Sequence, residues 1–342
     1  MILKTKTQKY LGIVGLIIGL FILIVFAVGF GAVRIPWRSV VRIMLDGVFG
    51  RTSIDEHTRF IVLNLRIPRI LMAVMVGMLL SLVGTSYQAV FKNPMADPYL
   101  LGTSSGAALG ATLALLVPQL QVFGYFGVTV FAFLGAITTT LIVYFLAKSG
   151  NQISTVSLLL SGIIMSSFLS AIISLLMIFH HEEIAMIYNW TLGSFNGASW
   201  SGLKLALPIL GIGIFVMSFW AKDLNVLLLG DAQAYSLGID AQNVKRKILI
   251  LSSILAAVAV SMSGIIGFVG LIVPHFFRMI VGPDHRYLLI YATLGGGVFL
   301  LLCDTIARSL LSNAEIPVGI VTAILGAPFF MILLYRTKQG KE

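Results

Sequence analysis

Long apolar runs separated by short polar stretches dominate the chain. Residues 11–33 contain no charged side chain, and runs of similar length recur into the C-terminal region. An α-helix rises about 1.5 Å per residue, so about 20 such residues cross a hydrocarbon layer of about 30 Å. The runs do not alternate between apolar and polar positions, as the strands of a transmembrane barrel do. The pattern therefore predicts an all-α integral membrane protein.

The apolar runs predict about ten membrane-spanning helices. They are residues 11–33, 69–90, 99–117, 122–147, 153–179, 200–221, 245–263, 265–282, 287–311 and 318–335. An even number places both termini on one side, and most of the Lys and Arg residues fall on that side. Because loops rich in these residues stay inside the cell, both termini are predicted to be cytoplasmic. The first run is longer than the apolar region of about 7 to 15 residues in a cleavable signal, so we expect a retained helix.

Two predicted connections are too long to be simple turns. The external segment 34–68 contains an amphipathic stretch, Trp37 to Phe49, with apolar residues at helical spacing. The internal segment 222–244 is too polar to span the membrane and too apolar for a free linker. Gly230 and Gly238 bracket a short helical pattern there, which predicts two small helices at the membrane surface. A partner protein is expected to dock on them.

Composition agrees with a membrane protein and argues against several other classes. Charged residues make up 11% of the chain, against about 25% in soluble domains. The net charge of +10 is scattered between apolar runs without aromatic clusters, so no nucleic-acid partner is expected. Cys303 lies in an apolar run and is interpreted as small core filling. Residues 180–183 (HHEE) lack the spacing of a metal motif and are interpreted as a solvated loop, so no metal site is predicted.

Five sequence blocks carry a family resemblance. They are residues 65–107 (beginning LRIPRIL), 190–200 (WTLGSFNGASW), 224–239 (LNVLLLGDAQAYSLGI), 263–286 (beginning SGIIGFVGLIVPHFF) and 304–330 (beginning DTIAR). In this order they resemble the FecCD-type permease subunits of type II ABC importers, which take up iron-siderophores, haem or cobalamin. The resemblance covers most of the chain after residue 60.

The resemblance implies an architecture and a set of partners. Residues 1–342 would form a single permease domain in the inner membrane, and two permease copies would form a homodimer with the translocation path between them. Two cytoplasmic ATPase subunits and an extracytoplasmic binding protein would complete the importer. The chain contains neither GxxxxGKS nor GxxxxGKT, so no cofactor is expected on it, and ATP and Mg would be used by the ATPase. The cargo, and whether the second permease is identical or merely related, stay open.

The first set of candidate site residues is basic. By resemblance, Arg66 and Arg69 of LRIPR and Arg308 of DTIAR receive glutamates of the binding protein. Pro68 favours the first turn of a helix, so Arg66 and Arg69 are expected at a helix N-terminus, where cations are unfavourable unless an acidic group answers them. Phosphate of membrane lipid is the alternative acidic group. Asp304 and Arg308 are four residues apart, which predicts an ion pair on one helix face.

The other candidate residues follow from position and resemblance. The ATPase-coupling residues are Leu229, Gly230, Ala232, Ala234, Leu237 and Gly238; the inner gate is Ser154 and Thr155; the translocation path includes Ser161, Ser166, Ser170 and Ser174. Serines in membrane helices also bond to their own backbone, so a packing role for the path serines stays open.

Several remaining features have a structural and a functional interpretation. His275 follows Pro274 inside a span, and a neutral His bonded to carbonyls freed by the proline is preferred over a proton relay. The pairs Gly15 with Gly19 and Gly106 with Gly110 are predicted to pack helices within the subunit. A secondary transporter or a membrane-embedded enzyme is the competing class of function. Both would need clusters of ionisable residues within the spans, and the sequence does not show them.

Overall fold

The computed structural model describes residues 2–31, 35–49, 55–117, 124–150, 152–311 and 314–338, and most of this chain is α-helical. The α-helices are α1 (Lys6–Gly29), α2 (Trp37–Phe49), α3 (Glu56–Phe60), α4 (Ile67–Val90), α5 (Thr103–Leu116), α6 (Gly124–Ala147), α7 (Thr155–Phe179), α8 (Ile184–Thr191), α9 (Trp200–Phe219), α10 (Ala221–Leu229), α11 (Asp231–Ser236), α12 (Ala241–Ser263), α13 (Val269–Val281), α14 (His285–Ser309) and α15 (Val318–Lys338). A π-helical turn spans Ile61–Arg66 and a 3₁₀ turn spans His181–Glu183. Two short antiparallel strands, β1 (Lys148–Ser149) and β2 (Gln152–Ile153), pair Lys148 with Ile153.

Every predicted span has a helix in the structure, which confirms the all-α membrane fold. Within the described ranges, seven helices are long and apolar enough to cross a membrane: α1, the continuous helix Glu56–Val90, α6, α7, α9, α12 and α14. The other predicted spans correspond to shorter apolar helices, Thr103–Leu116, Val269–Val281 and Val318–Ile332. The number of crossings therefore stays a prediction.

Helix α4 forms the centre of the bundle. Nearly all of its residues are buried, and it packs against α14, α12 and α13. At the crossing with α14, a Cβ atom on Gly77 would lie 2.8 Å from the Cβ of Leu300 and closer still to the carbonyl oxygen of Gly296. Glycine is needed at this position because the two backbones are in direct contact.

Of the two glycine pairs predicted to pack helices together, the structure supports one. A Cβ atom on Gly106 would lie 2.5 Å from the carbonyl oxygen of Gly135, and Gly110 meets the backbone of Phe131, so this pair packs α5 against α6. That prediction is confirmed. The prediction for Gly15 and Gly19 is wrong, since nothing lies within 4 Å of a Cβ on either. These glycines lie on a face of α1 that no described part of the chain covers.

The outer faces of α1, α6, α7 and α9 are strongly apolar and exposed. Large apolar side chains on these faces include Phe21, Leu134, Ile163 and Phe215. A soluble protein rarely exposes contiguous apolar surface of this extent, whereas a hydrocarbon layer covers it. The chain is a multi-pass membrane protein.

The predicted external loop 34–68 is wrong in its second half. Helix α2 confirms the amphipathic stretch, but from Glu56 the chain is helical without interruption to Val90. Pro68 has no N–H group, and its ring crowds the carbonyl four residues before it in a regular α-helix. The π turn widens the helix just before the proline, with the Ile67 N–H bonded to the carbonyl of Val62, so the helix continues. Arg66 and Arg69 therefore lie inside a helix, and their expected position at an N-terminus is wrong.

Candidate functional site

Arg66, Arg69 and Arg308 meet at the end of the bundle opposite the N-terminus. Arg66 ends the π turn, Arg69 lies one turn later in α4, and Arg308 lies in the last turn of α14. All three line a depression of about 460 Å³, which we call the arginine pocket; its other lining residues are Gly31, Ile61, Leu65, Phe195, Asn196, Ala198 and Glu315. The three candidate docking residues are thus one structural unit.

The C-terminal end of α1 explains why Arg66 and Arg308 are buried. Nη1 of Arg66 donates to the carbonyl of Val28 at 2.7 Å. Nη1 and Nη2 of Arg308 donate to the carbonyls of Phe30 and Ala27 at 2.9 and 3.2 Å. The last carbonyls of a helix lack partners and carry the negative end of its dipole, and the last turn of α1 has no basic residue of its own. Two arginines from other helices supply this charge, and the lipid-phosphate alternative for Arg66 and Arg69 stays a prediction.

Asp304 holds two of the arginines together. Its side chain is fully buried, and Oδ2 lies 2.9 Å from Nε of Arg308, which confirms the predicted i,i+4 ion pair. Oδ1 accepts from Nε of Arg69 at 3.0 Å and forms an ion pair with Nη2 of the same residue at 3.0 Å. One carboxylate therefore links α4 to α14 at this end of the bundle.

Arg69 is the arginine closest to the opening of the pocket. Nη1 lies 2.6 Å from Oε2 of Glu315 and donates to Oδ1 of Asn196 at 2.8 Å. The Arg69 side chain is 12% exposed and that of Glu315 is 36% exposed. Glu315 and Asp304 thus contact Arg69 from opposite sides, one exposed and one buried. The opening of the pocket presents an arginine–carboxylate pair to the surroundings.

The predicted coupling segment lies at the opposite end of α4. Helices α10 and α11 confirm the two short helices, which are joined at Gly230 with φ of 120° and followed by Gly238 with φ of 79°. Leu229 and Leu237 are exposed, as are Ala232 and Gly238, and Tyr235 is 80% exposed. Ala234 is fully buried, so it packs the segment onto the bundle and does not face a partner as predicted.

Two polar clusters fasten this segment to the bundle. Asp231, the first residue of α11, accepts from Nζ of Lys92 at 3.0 Å and from Nζ of Lys245 at 2.5 Å. Partial burial works in the opposite direction, but the hydrogen bonds from Lys245 and Lys92 hold the pKa of Asp231 below its usual value. The carboxylate therefore stays ionised at neutral pH, and α11 is tied to both α12 and the loop after α4.

The second cluster centres on Asn225 of α10. Its Nδ2 donates to Oδ1 of Asp284 at 2.8 Å, and its Oδ1 accepts from the backbone N–H of His285 at 2.8 Å. Although partial burial opposes it, hydrogen bonding from Arg286 and Asn225 lowers the pKa of Asp284 to about 2. Helix α10 is thereby tied to the start of α14, whose other end carries Arg308.

The gate and path candidates lie along α7. Ser154 caps this helix by accepting from the N–H of Ser157 at 3.3 Å, and Thr155 is its first residue. Ser161 and Ser166 are partly exposed, and the remaining two path serines, Ser170 and Ser174, are exposed. Oγ of Ser174 donates to the carbonyl of Ser170 at 2.9 Å, so the backbone-bonded alternative holds for Ser174. Oγ of Ser166 lies close to Gly102, at the start of α5, so only Ser170 and Ser174 are on the open surface, and the roles of all four stay predictions.

The remaining residues singled out in the sequence lie outside the two clusters and the gate helix. Cys303 is fully buried, which confirms the core interpretation. His181 and Glu182 are exposed on the 3₁₀ turn, and the described residues contain no group of three or more potential metal ligands in metal-binding arrangement. His275 is partly exposed on α13 beside Pro274.

Sequence reasoning missed Glu315, Asn196 and the cluster around Asp231. Glu315 and Asn196 are separated from Arg69 by 246 and 127 positions, so no local spacing points to these contacts. The available signal was the position of Glu315 in the same matched block as Arg308. Asp231 also lay in a matched block, directly after Gly230, where a charged residue begins a helix.

Comparisons with known proteins agree with this arrangement. The cobalamin import system permease protein BtuC of Halobacterium salinarum is 43% identical over 282 residues, covering 82% of this chain and 75% of the relative. The hemin transport system permease protein HmuU of Yersinia pestis is 37% identical over 329 residues, covering 94% and 96%. A solved metal-chelate type ABC transporter in an inward-facing conformation matches with a TM-score of 0.81 and 33% identity, covering 95% of this chain and 98% of that one.

These relatives are permeases or transporter components, so the chain is a transport subunit and not an enzyme. It is the membrane-spanning permease of an ATP-driven importer, and the competing classes, a secondary transporter and a membrane-embedded enzyme, are set aside. The FecCD transport family model matches residues 19–336. The chain belongs to the FecCD transport family.

Proposed function

We propose that this permease lies in the cytoplasmic (inner) membrane as a homodimer and imports a bulky chelate that a binding protein delivers outside the cell. Iron-siderophores, haem and cobalamin-type compounds are the proposed cargo class, supported by the names of the relatives. Two cytoplasmic ATPases supply the energy and use the ATP and Mg, and both termini of the permease face them.

The binding protein docks at the arginine pocket in this proposal. Three arginines line the pocket, and Arg69 lies at its opening beside the exposed Glu315. A glutamate of the binding protein would exchange with Glu315 for the Arg69 guanidinium, since both are carboxylates. Arg66 and Arg308 are occupied by the end of α1 and so shape the pocket beneath it.

The ATPase docks on α10 and α11 at the other end. Exposed Leu229, Tyr235 and Leu237 offer an apolar contact surface, and the clusters around Asp231 and Asn225 prevent the segment from moving independently. Helix α4 has 24 residues and therefore separates the two sites by about 36 Å. Helix α14 runs beside α4. It begins at His285, which bonds to Asn225 of α10, and its last turn carries Arg308. A change at one end is thus transmitted through two helices in backbone contact.

Opposite charge changes at the pocket opening test this proposal. Arg69→Gln removes the cation that receives the carboxylate, so association with the binding protein should slow about tenfold at low ionic strength. Glu315→Gln removes the competing carboxylate and should accelerate association. Lys204→Gln, which changes an exposed cation outside the pocket on α9, serves as the control. Surface plasmon resonance with the cognate binding protein at two salt concentrations gives the association rates. If the rates of both pocket variants equal that of the wild type, the binding protein docks elsewhere.

A further inference from the structure

An apolar groove of about 730 Å³ lies between α1 and α2, outside the sites described above. Phe21, Phe26 and Phe30 line it from the α1 side, and Trp37 and Val41 line it from α2. This volume falls within the range of about 300 to 1,000 Å³ that is usual for small-molecule sites. We call this site the α1–α2 groove.

The groove crosses the boundary between two environments. Its α1 side belongs to an uncharged run, and Phe21 is 66% exposed, which is typical of contact with hydrocarbon. Its α2 side belongs to an amphipathic helix that begins with Trp37, which is 71% exposed. Amphipathic helices and tryptophans concentrate at the membrane–water interface. One end of the groove is therefore at acyl-chain depth and the other at headgroup depth.

Two cations mark the headgroup end. Arg38 and Arg42 lie one turn apart on α2, each next in sequence to a groove-lining residue, Trp37 and Val41, and both are exposed. The Arg38 guanidinium lies 5.9 Å from the centre of the Trp37 ring, so it sits at the edge of the groove. Neither arginine takes part in the ion pairs formed between the described side chains. Both guanidinium groups are open to an anion from the surroundings.

We propose that the α1–α2 groove binds one phospholipid with an anionic headgroup. Its acyl chain packs against the phenylalanines of α1 and the Trp37 ring, and its phosphate accepts hydrogen bonds from Arg38 and Arg42. A lipid fits because a single molecule supplies an apolar chain and an anion at adjacent depths. The bound lipid holds α2 against α1.

Native mass spectrometry of the full chain in detergent tests the site. Phosphatidylglycerol and phosphatidylcholine with the same acyl chains are added separately, and retained lipid is counted. The wild-type chain should retain one phosphatidylglycerol about tenfold more tightly than phosphatidylcholine, because two arginines face the phosphate and the anionic headgroup. Arg38→Gln with Arg42→Gln should abolish this preference. Val41→Trp, which fills the groove, should remove retention of both lipids.

Matched controls separate this site from the general lipid surface. Leu134→Trp adds the same side chain on the exposed face of α6, and Arg59→Gln removes a partly exposed cation of α3; neither should alter retention. Equal retention of the two lipids by the wild-type chain overturns the proposal, as does retention that survives both groove variants. Displacement of phosphatidylglycerol by millimolar inorganic phosphate also overturns it, since that identifies a free-anion site. The wild-type chain could instead form a dimer that retains no lipid and that Val41→Trp abolishes. That result would assign the groove to a second copy of the chain.

Discussion

At the scale of single residues, Asp304 has the greatest effect on the arginine pocket. It is fully buried and contacts Arg69 and Arg308 at once. Removing one partner from a buried ion pair leaves the remaining charge uncompensated in a medium that solvates it poorly. The neutral Asn would leave two guanidinium groups adjacent without the carboxylate between them.

We therefore expect Asp304→Asn to lower the free energy of unfolding by about 3 kcal/mol, as for other broken buried pairs. The measurement is denaturant unfolding in mixed micelles, followed by far-UV circular dichroism. Arg286→Gln breaks the exposed pair with Asp284 and should have a much smaller effect. An Asp304→Asn variant as stable as the wild type would show that the pocket does not depend on this carboxylate.

The same residues show what local sequence reasoning predicts and what it misses. The ion pair between Asp304 and Arg308 was predictable, because four residues make one turn of a helix wherever that helix lies. The contacts of Arg69 were not, since Asp304 is 235 positions away. The helix-dipole argument used the wrong helix end. Arg66 and Arg308 donate to carbonyls of α1, and the packing of α1 against α4 and α14 brings these groups together.

At the scale of elements, glycine and proline positions predicted the coupling segment better than the second span. Gly230 and Gly238 gave the two short helices, because positive φ angles end helices irrespective of tertiary packing. Pro68 was interpreted as a helix start, yet the π turn before it allows the helix to continue. Whether a proline starts or interrupts a helix depends on whether the preceding turn can widen, which sequence spacing does not show.

Gly230→Trp tests the coupling segment as an element. The φ of 120° at this position is strained for any residue with a side chain, and an added Cβ would collide with the side chain of Gln233. We expect the variant to insert into the membrane in normal amount but to lose stimulation of ATP hydrolysis and transport. Gly15→Trp, on the open face of α1, is the matched control and should retain both. Normal coupling in Gly230→Trp would exclude α10 and α11 as the ATPase contact.

At the scale of the whole molecule, Ser170 and Ser174 of α7 lie on the surface of the single chain, as expected if a second copy completes the translocation path. Thr155 begins this helix, and Ile153 just before it is tied to α12 through the side chain of Gln242 at 3.1 Å. If two copies enclose the path, Thr155→Cys should cross-link to its counterpart in at least one nucleotide state of the assembled importer. Cys303 is buried and gives a low background. Absence of cross-linking in every state, while another interface position cross-links, would place the path elsewhere.

Reconstituted uptake tests the division of labour most directly. Proteoliposomes containing the permease and its ATPase, supplied with the cargo-loaded binding protein outside and ATP inside, should accumulate cargo in a vanadate-sensitive manner. Omitting the ATPase, the binding protein or ATP should each abolish accumulation, and Arg69→Gln should reduce it while leaving basal ATP hydrolysis intact. Cargo accumulation by this chain alone, driven by an ion gradient, would contradict its assignment as the permease of an ATP-driven importer.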